Sequence, residues 1–533
     1  MTTPNNITGW NLSSFKFICF ILCLLLTSPA VAQYRTTRRE CLNRNIINGK
    51  NILIQDMMMS ESKTYIIKYA FDLDGKTLVV PKHCNLVFRK EGSISNGKIV
   101  FNDTWLKNEQ FYKIESAKGS LLNRKFDASR YGFMDDTELF RFVLNQAKDS
   151  FVLKLESRVY HINTLKGISR VKYDSAFARL SNINMFTIVG NKSIIEDSAS
   201  KSLIGTNLYN VLLFDTCSGV KILDVSYIWT EEAVLHPKVE GIVFIRTINE
   251  CRDFDVNVKV TNAGRGIYSG KWDDKGNPGR GICDSRLKVN AIRVGYPIAI
   301  EKGDNLDIIN RFAYAHRGTY LAGVTNSTVC VEGREAYSTK VNLLLTDTAD
   351  SNGCYFCDGI KATVIDTGTK ELASGAVMVA CQSYPLSYEQ FKGRRPYNVK
   401  NIEIEVYTPP NSSTAFEGFL YSDMAKVVDT MNISISGKMD DEGKNSRLAR
   451  LRDVPVGNIS FKSMHSTRNY IMLHSYIPDG GNLLFEDCSN VIFDLPSQKK
   501  ETTGSITFKG CTFKQYRKLD QMGTNLFPSV LIQ

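Results

Sequence analysis

Apolar and polar residues alternate in short runs that recur along the last quarter of the chain. Asn432-Ile-Ser-Ile435, Asn458-Ile-Ser-Phe461, Asn482-Leu-Leu-Phe485 and Ser505-Ile-Thr-Phe508 are four such runs, and their last residues lie 26, 24 and 23 positions apart. Alternation with a period of two marks a half-buried strand. One strand and one turn in every stretch of roughly 20 to 30 residues mark a solenoid, in which each coil buries its apolar face against the coils above and below. The pattern predicts that Phe461, Phe485 and Phe508 stack in one interior ladder. Cys488 and Cys511, three residues after the last two, would then lie one above the other.

Similar runs can be followed backwards, centred near Val256, Leu287, Ile308, Val329, Leu343, Val364 and Ile404. The steps from Leu287 to Ile308, from Ile308 to Val329 and from Leu343 to Val364 are equal in length. Asn, Asp and Gly precede the runs, residues that tolerate left-handed backbone and can bend the chain from one face of a coil to the next. Coils are expected over 63–125 and 166–512, with a terminal tail or cap at 513–533. Between these blocks the period changes to that of a helix. Phe140, Val143, Leu144 and Ala147 share one face, Asp135 or Asp136 can cap the N-terminus, and Glu138 stands where a capping-box partner would.

The helix belongs to an ordered set of pieces: Phe126-Asp-Ala-Ser-Arg-Tyr-Gly132, Asp135-Asp136-Thr137, the helix, the strand Val152-Leu-Lys-Leu155, and Tyr160-His-Ile162. That order resembles the entry motif of the pectate-lyase-like superfamily, which includes polygalacturonase-like hydrolases and phage tailspikes. The resemblance implies an all-β, right-handed parallel β-helix with an N-terminal capping helix over 126–165. It points to a bacterial or phage source and to work on polysaccharide. The Asn-Thr-Asp, paired Asp, Gly-His-Gly and Arg-Ile-Lys pattern of the polygalacturonase-like hydrolases does not occur in the chain.

The start of the chain bears on location. Lys16 precedes an apolar run, Phe17 to Leu26, and Ala30-Val31-Ala32 supplies the small residues that signal peptidase requires. Residues 1–32 are therefore expected to be a signal peptide, followed by a leader segment at 33–62. The run is short for a membrane span, so the mature chain is expected to carry no integral span and to be periplasmic, cell-surface or secreted. Thirteen cysteines, two of them in the expected signal peptide, form no dense disulfide framework. Cys354-Tyr-Phe-Cys357 reads as a local disulfide or buried thiols. The net charge of +11 is not gathered into one basic block and no nucleic-acid motif accompanies it, which favours an anionic polysaccharide over nucleic acid as partner.

Candidate chemistry concentrates between Gly264 and Arg317, where charged and aromatic residues crowd an irregular stretch. Aromatic rings stack on sugar faces while charged groups bind hydroxyls or carboxylates. Trp272, Arg265, Arg286 and Tyr320 are the expected substrate-binding residues, and Lys302, Asp304, His316 and Arg317 the expected catalytic ones. A uronic-acid lyase needs a base and a cation, either an arginine or Ca²⁺ held by carboxylates. A glycoside hydrolase needs two carboxyl groups across the bond. The expected function is that of an exported carbohydrate-active protein acting on polysaccharide, as lyase or hydrolase. The alternative is a non-catalytic glycan-binding or adhesion scaffold.

Overall fold

The computed structural model describes residues 38–172, 175–235, 239–270, 281–336, 341–350, 353–367, 376–381, 397–408, 414–420, 428–439, 447–465, 469–494, 503–515 and 530–533. The expected signal peptide and Trp272 lie outside the described residues, as does the Cys354 side chain. Strands make up 65% and helices 5%, arranged in long parallel sheets compatible with a β-helix. Among the described residues no helix is long and apolar enough to cross a membrane. The chain divides into two units, Met1–Asn123 and Arg124–Gln533.

In the first unit Thr64, Asn85 and Trp105 are parallel partners on successive coils. Leu86 and Phe88 point inward, and Phe88 and Phe101 meet Phe111 edge-on at 5.3 and 6.1 Å.

In the second unit one column of side chains crosses the sheet from coil to coil: Phe126, Leu153, Ile188, Ile222, Val256, Leu287, Ile308 and Val329. It continues through Ala362, Ile404 and Ile435 to Phe461, Phe485 and Phe508. The expected aromatic ladder is present, with rings stacked at 5.2 and 5.1 Å and all three side chains fully buried. A second ladder, Phe126, Phe151, Phe186, Phe214 and Phe254, runs through the earlier coils at ring separations of 5.1 to 5.5 Å.

The corners follow from backbone chemistry. Asp284, Asn305 and Asn326 are equally spaced along the chain with φ of 50, 55 and 50°, and Gly359 and Asn401 continue the series at 66 and 54°. Short amide and carboxylate side chains accept this left-handed conformation and bond their neighbours up the stack. Asn305 donates to Asp284 at 2.7 Å, and Asn326 donates to Asp304 at 2.8 Å. Leu343 departs from the expectation of one strand per period. It pairs with Thr319 and Val377 in another sheet of the coil, because it follows Val329 too closely for a full turn.

Helix α1, Asp136–Leu144, starts where Asp135 accepts the Thr137 amide at 2.7 Å, and it buries Leu139, Phe140, Phe142, Val143 and Leu144. Phe140 meets Tyr160 edge-on at 5.3 Å. Glu138 pairs with Arg141 at 3.1 Å, an i,i+3 contact, and Ala147 lies past the end of the helix. Deeper in the unit, Asp197 is fully buried and gathers four donors. Oδ1 accepts the amides of Thr164 and Ala199, both at 3.0 Å, and Oδ2 accepts the hydroxyls of Thr164 at 2.7 Å and Tyr227 at 2.8 Å. Burial raises its pKa despite these bonds.

Candidate functional site

One sheet of the second unit is covered on both faces. It contains β1 (Gly241–Ile248), β2 (Arg265–Ser269), the first residues of β3 (Tyr296–Ala315) and β4 (Thr319–Ala336), then β5 (Leu343–Thr346) and β6 (Val377–Cys381). Every residue of β1 and β5 is buried. Parallel register aligns Arg246, Tyr268, Ala299, Tyr320, Leu344 and Met378. Tyr268 and Ala299 pack with Val243, Tyr296 and Tyr320, while Leu344 and Met378 pack with Val341, Ala380 and the same Tyr320. Tyr320 thus joins two clusters into one apolar stripe.

Ionisable groups border this stripe. Glu301, 8% exposed, accepts the Tyr268 hydroxyl at 3.2 Å. Its carboxylate lies against Gly270, where φ is +151° and an added Cβ would stand 2.7 Å from Glu301 Oε2. Arg246, 1% exposed, donates to the Gly270 carbonyl at 3.3 Å and lies 5.0 Å from the Tyr268 ring centre. Arg265 lies 3.9 Å from that ring centre and 5.5 Å from that of Tyr296. Tyr268 therefore has two guanidinium groups close to its ring and its hydroxyl on a carboxylate. Cation–ring contacts gain strength when they are desolvated in this way.

Proton affinities follow from the same arrangement. Burial, then the Glu301 charge, pushes the Tyr268 phenol up. Burial, then Glu301 and Asp347, does the same for Tyr320. Both tyrosines stay protonated over the ordinary pH range, and Tyr268 donates to Glu301. For Arg265 burial opposes the charge, but Tyr268 and Glu301 outweigh it and raise the pKa. Asp347, 3% exposed, accepts the Thr346 hydroxyl at 3.2 Å.

The structure brings four of the eight expected site residues to this wall. Arg265 and Tyr320 belong to it directly. His316 is buried at the turn before β4, its amide on the Gly295 carbonyl at 3.0 Å and its ring edge-on to Tyr296 at 5.4 Å. The half-buried Arg317 shares the Gly295 carbonyl at 3.1 Å, and its charge acts on Tyr320.

Lys302, Asp304 and Arg286 are placed elsewhere. Lys302 occupies the corner after Glu301, with φ 60° and its ammonium 3.8 Å from the Tyr355 ring centre. Asp304 is exposed at the same corner and accepts the Thr325 hydroxyl at 2.5 Å and the Asn326 amide at 2.8 Å. Its carboxylate organises the turn. Arg286 lies on an exposed sheet, where its Nε pairs with Asp307 at 3.2 Å.

That exposed sheet carries a polar ladder. Lys221, Asp255, Arg286 and Asp307 alternate in sign on successive coils, followed by Thr328, Lys361 and Glu403. Lys361 and Glu403 pair at 3.5 Å. A cavity of about 470 Å³ opens here, lined by Asp307, Thr328, Lys361, Glu403 and Ser434. Exposed pairs of this kind contribute little to stability, so the face is hydrophilic without being tightly held.

Glu301, Asp347 and Arg246 did not stand out among the candidate residues of the sequence. Their signal is a charge set into or just after an apolar run, as in Pro297-Ile-Ala-Ile-Glu301 and Ile242-Val-Phe-Ile-Arg246. Among the described residues no group of three or more His, Cys, Asp or Glu side chains converges in a way that could hold a metal ion. No protein-family model matches the chain, and no curated protein matches it.

Proposed function

We propose that this protein is an exported, right-handed parallel β-helix of pectate-lyase-like build that cleaves an acidic polysaccharide at the wall around Tyr320. In this reading α1 covers the apolar end of the coil that follows it, which would otherwise expose core and strand edge. The observation that carries the reading is the pairing of two buried acids with arginines and protonated tyrosines. Glu301 and Asp347 both act on Tyr320, as does Arg317, and Arg265 stands over Tyr268.

Glu301 aligns with Ala322 and Ala322 with Thr346, so Glu301 and Thr346 are two coils apart. That is about 10 Å at the backbone. Carboxyl groups roughly 6.5 to 9.5 Å apart leave room for a water between acid and base, as in inverting glycosidases. One acid would protonate the glycosidic oxygen while the other activates that water. Tyr268 and Tyr320, held protonated, are unsuited to the base role of a lyase and suited to donating to substrate oxygens. Arg265 and Arg317 would bind a uronate carboxylate.

The purified mature chain, tested on a panel of acidic polysaccharides, is expected to release reducing ends without unsaturated-uronate absorbance. Glu301→Gln and Asp347→Asn are each expected to lower turnover by about 10² or more while leaving binding in place. Appearance of unsaturated uronate would replace hydrolysis with elimination. Binding without any product would favour the glycan-binding scaffold, which the open polar face at Asp307, Lys361 and Glu403 independently suits.

A further inference from the structure

The chain repeats one small arrangement in which an interior phenylalanine is followed, three residues later, by a cysteine: Phe214-Asp-Thr-Cys217, Phe485-Glu-Asp-Cys488 and Phe508-Lys-Gly-Cys511. Ile248-Asn-Glu-Cys251 is the aliphatic version. In each, the strand ends and the cysteine lies just past a corner. Thr216, Asn249 and Asp487, one or two residues before the cysteine, and Gly510 have φ between 52 and 62°. The cysteines therefore occur as neighbours on successive coils, Cys217 with Cys251 and Cys488 with Cys511.

The second pair is held in close register. Phe485 faces Phe508 and Glu486 faces Lys509, the Asp487 amide donates to the Lys509 carbonyl at 2.8 Å, and the Thr512 amide donates to the Cys488 carbonyl at 3.0 Å. Adjacent strands put the two Cα atoms about 4.8 Å apart, inside the window of roughly 4.4 to 6.8 Å that a disulfide spans. The two thiols are close enough to shift each other's proton affinity. Cys488 Sγ also lies 3.4 Å from the Phe461 carbonyl oxygen and Cys511 Sγ 3.3 Å from that of Phe485. Closing the bond needs only that the sulfurs turn toward each other.

We propose that Cys488 and Cys511 form a thiol–disulfide exchange pair that closes a cross-coil disulfide in the folded protein, using a small-molecule disulfide as oxidant. Cys511 is half-buried and Cys488 is 1% exposed, so Cys511 is the thiol an oxidant reaches first. The neighbouring Cys488 thiol holds Cys511 at about 7, below the usual thiol range, and Cys511 in turn raises Cys488. The Cys511 thiolate attacks one sulfur of the disulfide, forming a mixed disulfide and releasing one thiolate. Cys488 then gives up its proton, its sulfur displaces the second thiolate, and the Cys488–Cys511 bond forms. Two protein thiols are oxidised by two electrons, and the small disulfide is reduced to two thiols.

The other pair is an internal control. Cys217 and Cys251 also lie on adjacent coils, next to the Ser218–Arg252 bridge, but they are 1% and 0% exposed. Burial pushes both thiols up, Cys251 to about 12. Same arrangement and different access predict different reactivity.

The test exposes the folded full chain to oxidised glutathione and maps the thiols by peptide mass. The expected result is a Cys488–Cys511 cross-link, with Cys217 and Cys251 still reduced and a higher melting temperature that returns to the starting value on reduction. Cys488→Ser should stop the reaction at a glutathione adduct on Cys511, forming faster as pH rises and the thiolate fraction grows. Cys511→Ser should leave Cys488 unmodified. The proposal is overturned if Cys488 and Cys511 stay reduced in the folded wild type, or if Cys488→Ser gains no adduct at Cys511. Alkylation of the unaltered wild type by iodoacetamide is an independent check, and Cys217 or Cys251 reacting as fast as Cys511 would also overturn the proposal.

Discussion

Asp197 permits a test that separates hydrogen bonding from charge. Its two oxygens serve two backbone amides and two hydroxyls in a site with no solvent exposure. Asp197→Ala strands the amides of Thr164 and Ala199, which have no freedom to turn elsewhere. At roughly 1 to 3 kcal/mol for each buried donor left without a partner, the loss is about 2 to 6 kcal/mol. The hydroxyls of Thr164 and Tyr227 can rotate and add less. Asp197→Asn keeps one oxygen for the two amides and presents an NH₂ to the same hydroxyls, which then accept. All four contacts survive and no charge is buried, so the expected cost is under about 1 kcal/mol.

The pH dependence has a definite sign. Burial raises the Asp197 pKa in the folded state, so its contribution is fully present below the unfolded carboxyl value of about 3.9 and is lost as pH rises through the folded value. The asparagine variant lacks this loss, and its stability relative to wild type should improve as pH rises across that window. Thermal melts followed by far-UV circular dichroism between acid and neutral pH measure both effects. If Asp197→Asn falls as far as Asp197→Ala at neutral pH, the count of hydrogen bonds is not what holds this hub together.

Three further outcomes follow from local geometry. Phe485→Ala removes a ring stacked on both sides and should cost about 3 to 5 kcal/mol, read from the loss of urea resistance. For Asp135, burial opposes ionisation, but bonds from Lys166 and Thr137 outweigh it and hold the pKa down. Its cap is therefore strongest above the unfolded carboxyl value and is lost as pH falls through the folded one. Asp135→Ala should cost about 1 kcal/mol at neutral pH and less in acid, by the same melts. Gly270→Ala puts a Cβ against the Glu301 carboxylate at φ +151°. It should cost about 1 to 3 kcal/mol and, in the polysaccharide assay, lower turnover by displacing Glu301 from Tyr268.

The interior of the fold was more legible in the sequence than its outer walls. Phe461, Phe485 and Phe508 could be aligned because alternation and period act on the same residues, and interior packing punishes any slip. Asp284, Asn305 and Asn326 marked corners because few side chains accept positive φ. The Leu343 run was harder to assign, since a strand on another face of the coil has the same local pattern as one a whole turn later. The site suffered from the same ambiguity. Alternation shows that Arg286 points outward, but the coil length doubles between the step from Arg286 to Asp307 and the step from Lys361 to Glu403, which hides the face it points from. Lys302 and Asp304 carried the right chemistry at a corner, and turn geometry claimed them. Glu301 and Arg246 give little sign of their role in the sequence because a charge within or beside an apolar run resembles the end of a strand.

Consecutive steps that pass through the candidate site are equal in length, and this gives that stretch a modular character. The steps from Leu287 to Ile308, from Ile308 to Val329 and from Ile298 to Thr319 all match the spacing of the corners Asp284, Asn305 and Asn326. Deleting or duplicating one whole step between Asn305 and Asn326 would rejoin corner to corner and keep both sheets in phase, where a cut a single position longer or shorter would turn inside positions out. His316, Arg317 and Tyr320 lie within that interchangeable segment. In a lineage of such chains these candidate residues could therefore be gained, lost or multiplied as a single inherited block, while the aromatic spine at Phe461, Phe485 and Phe508 goes on specifying the architecture unchanged.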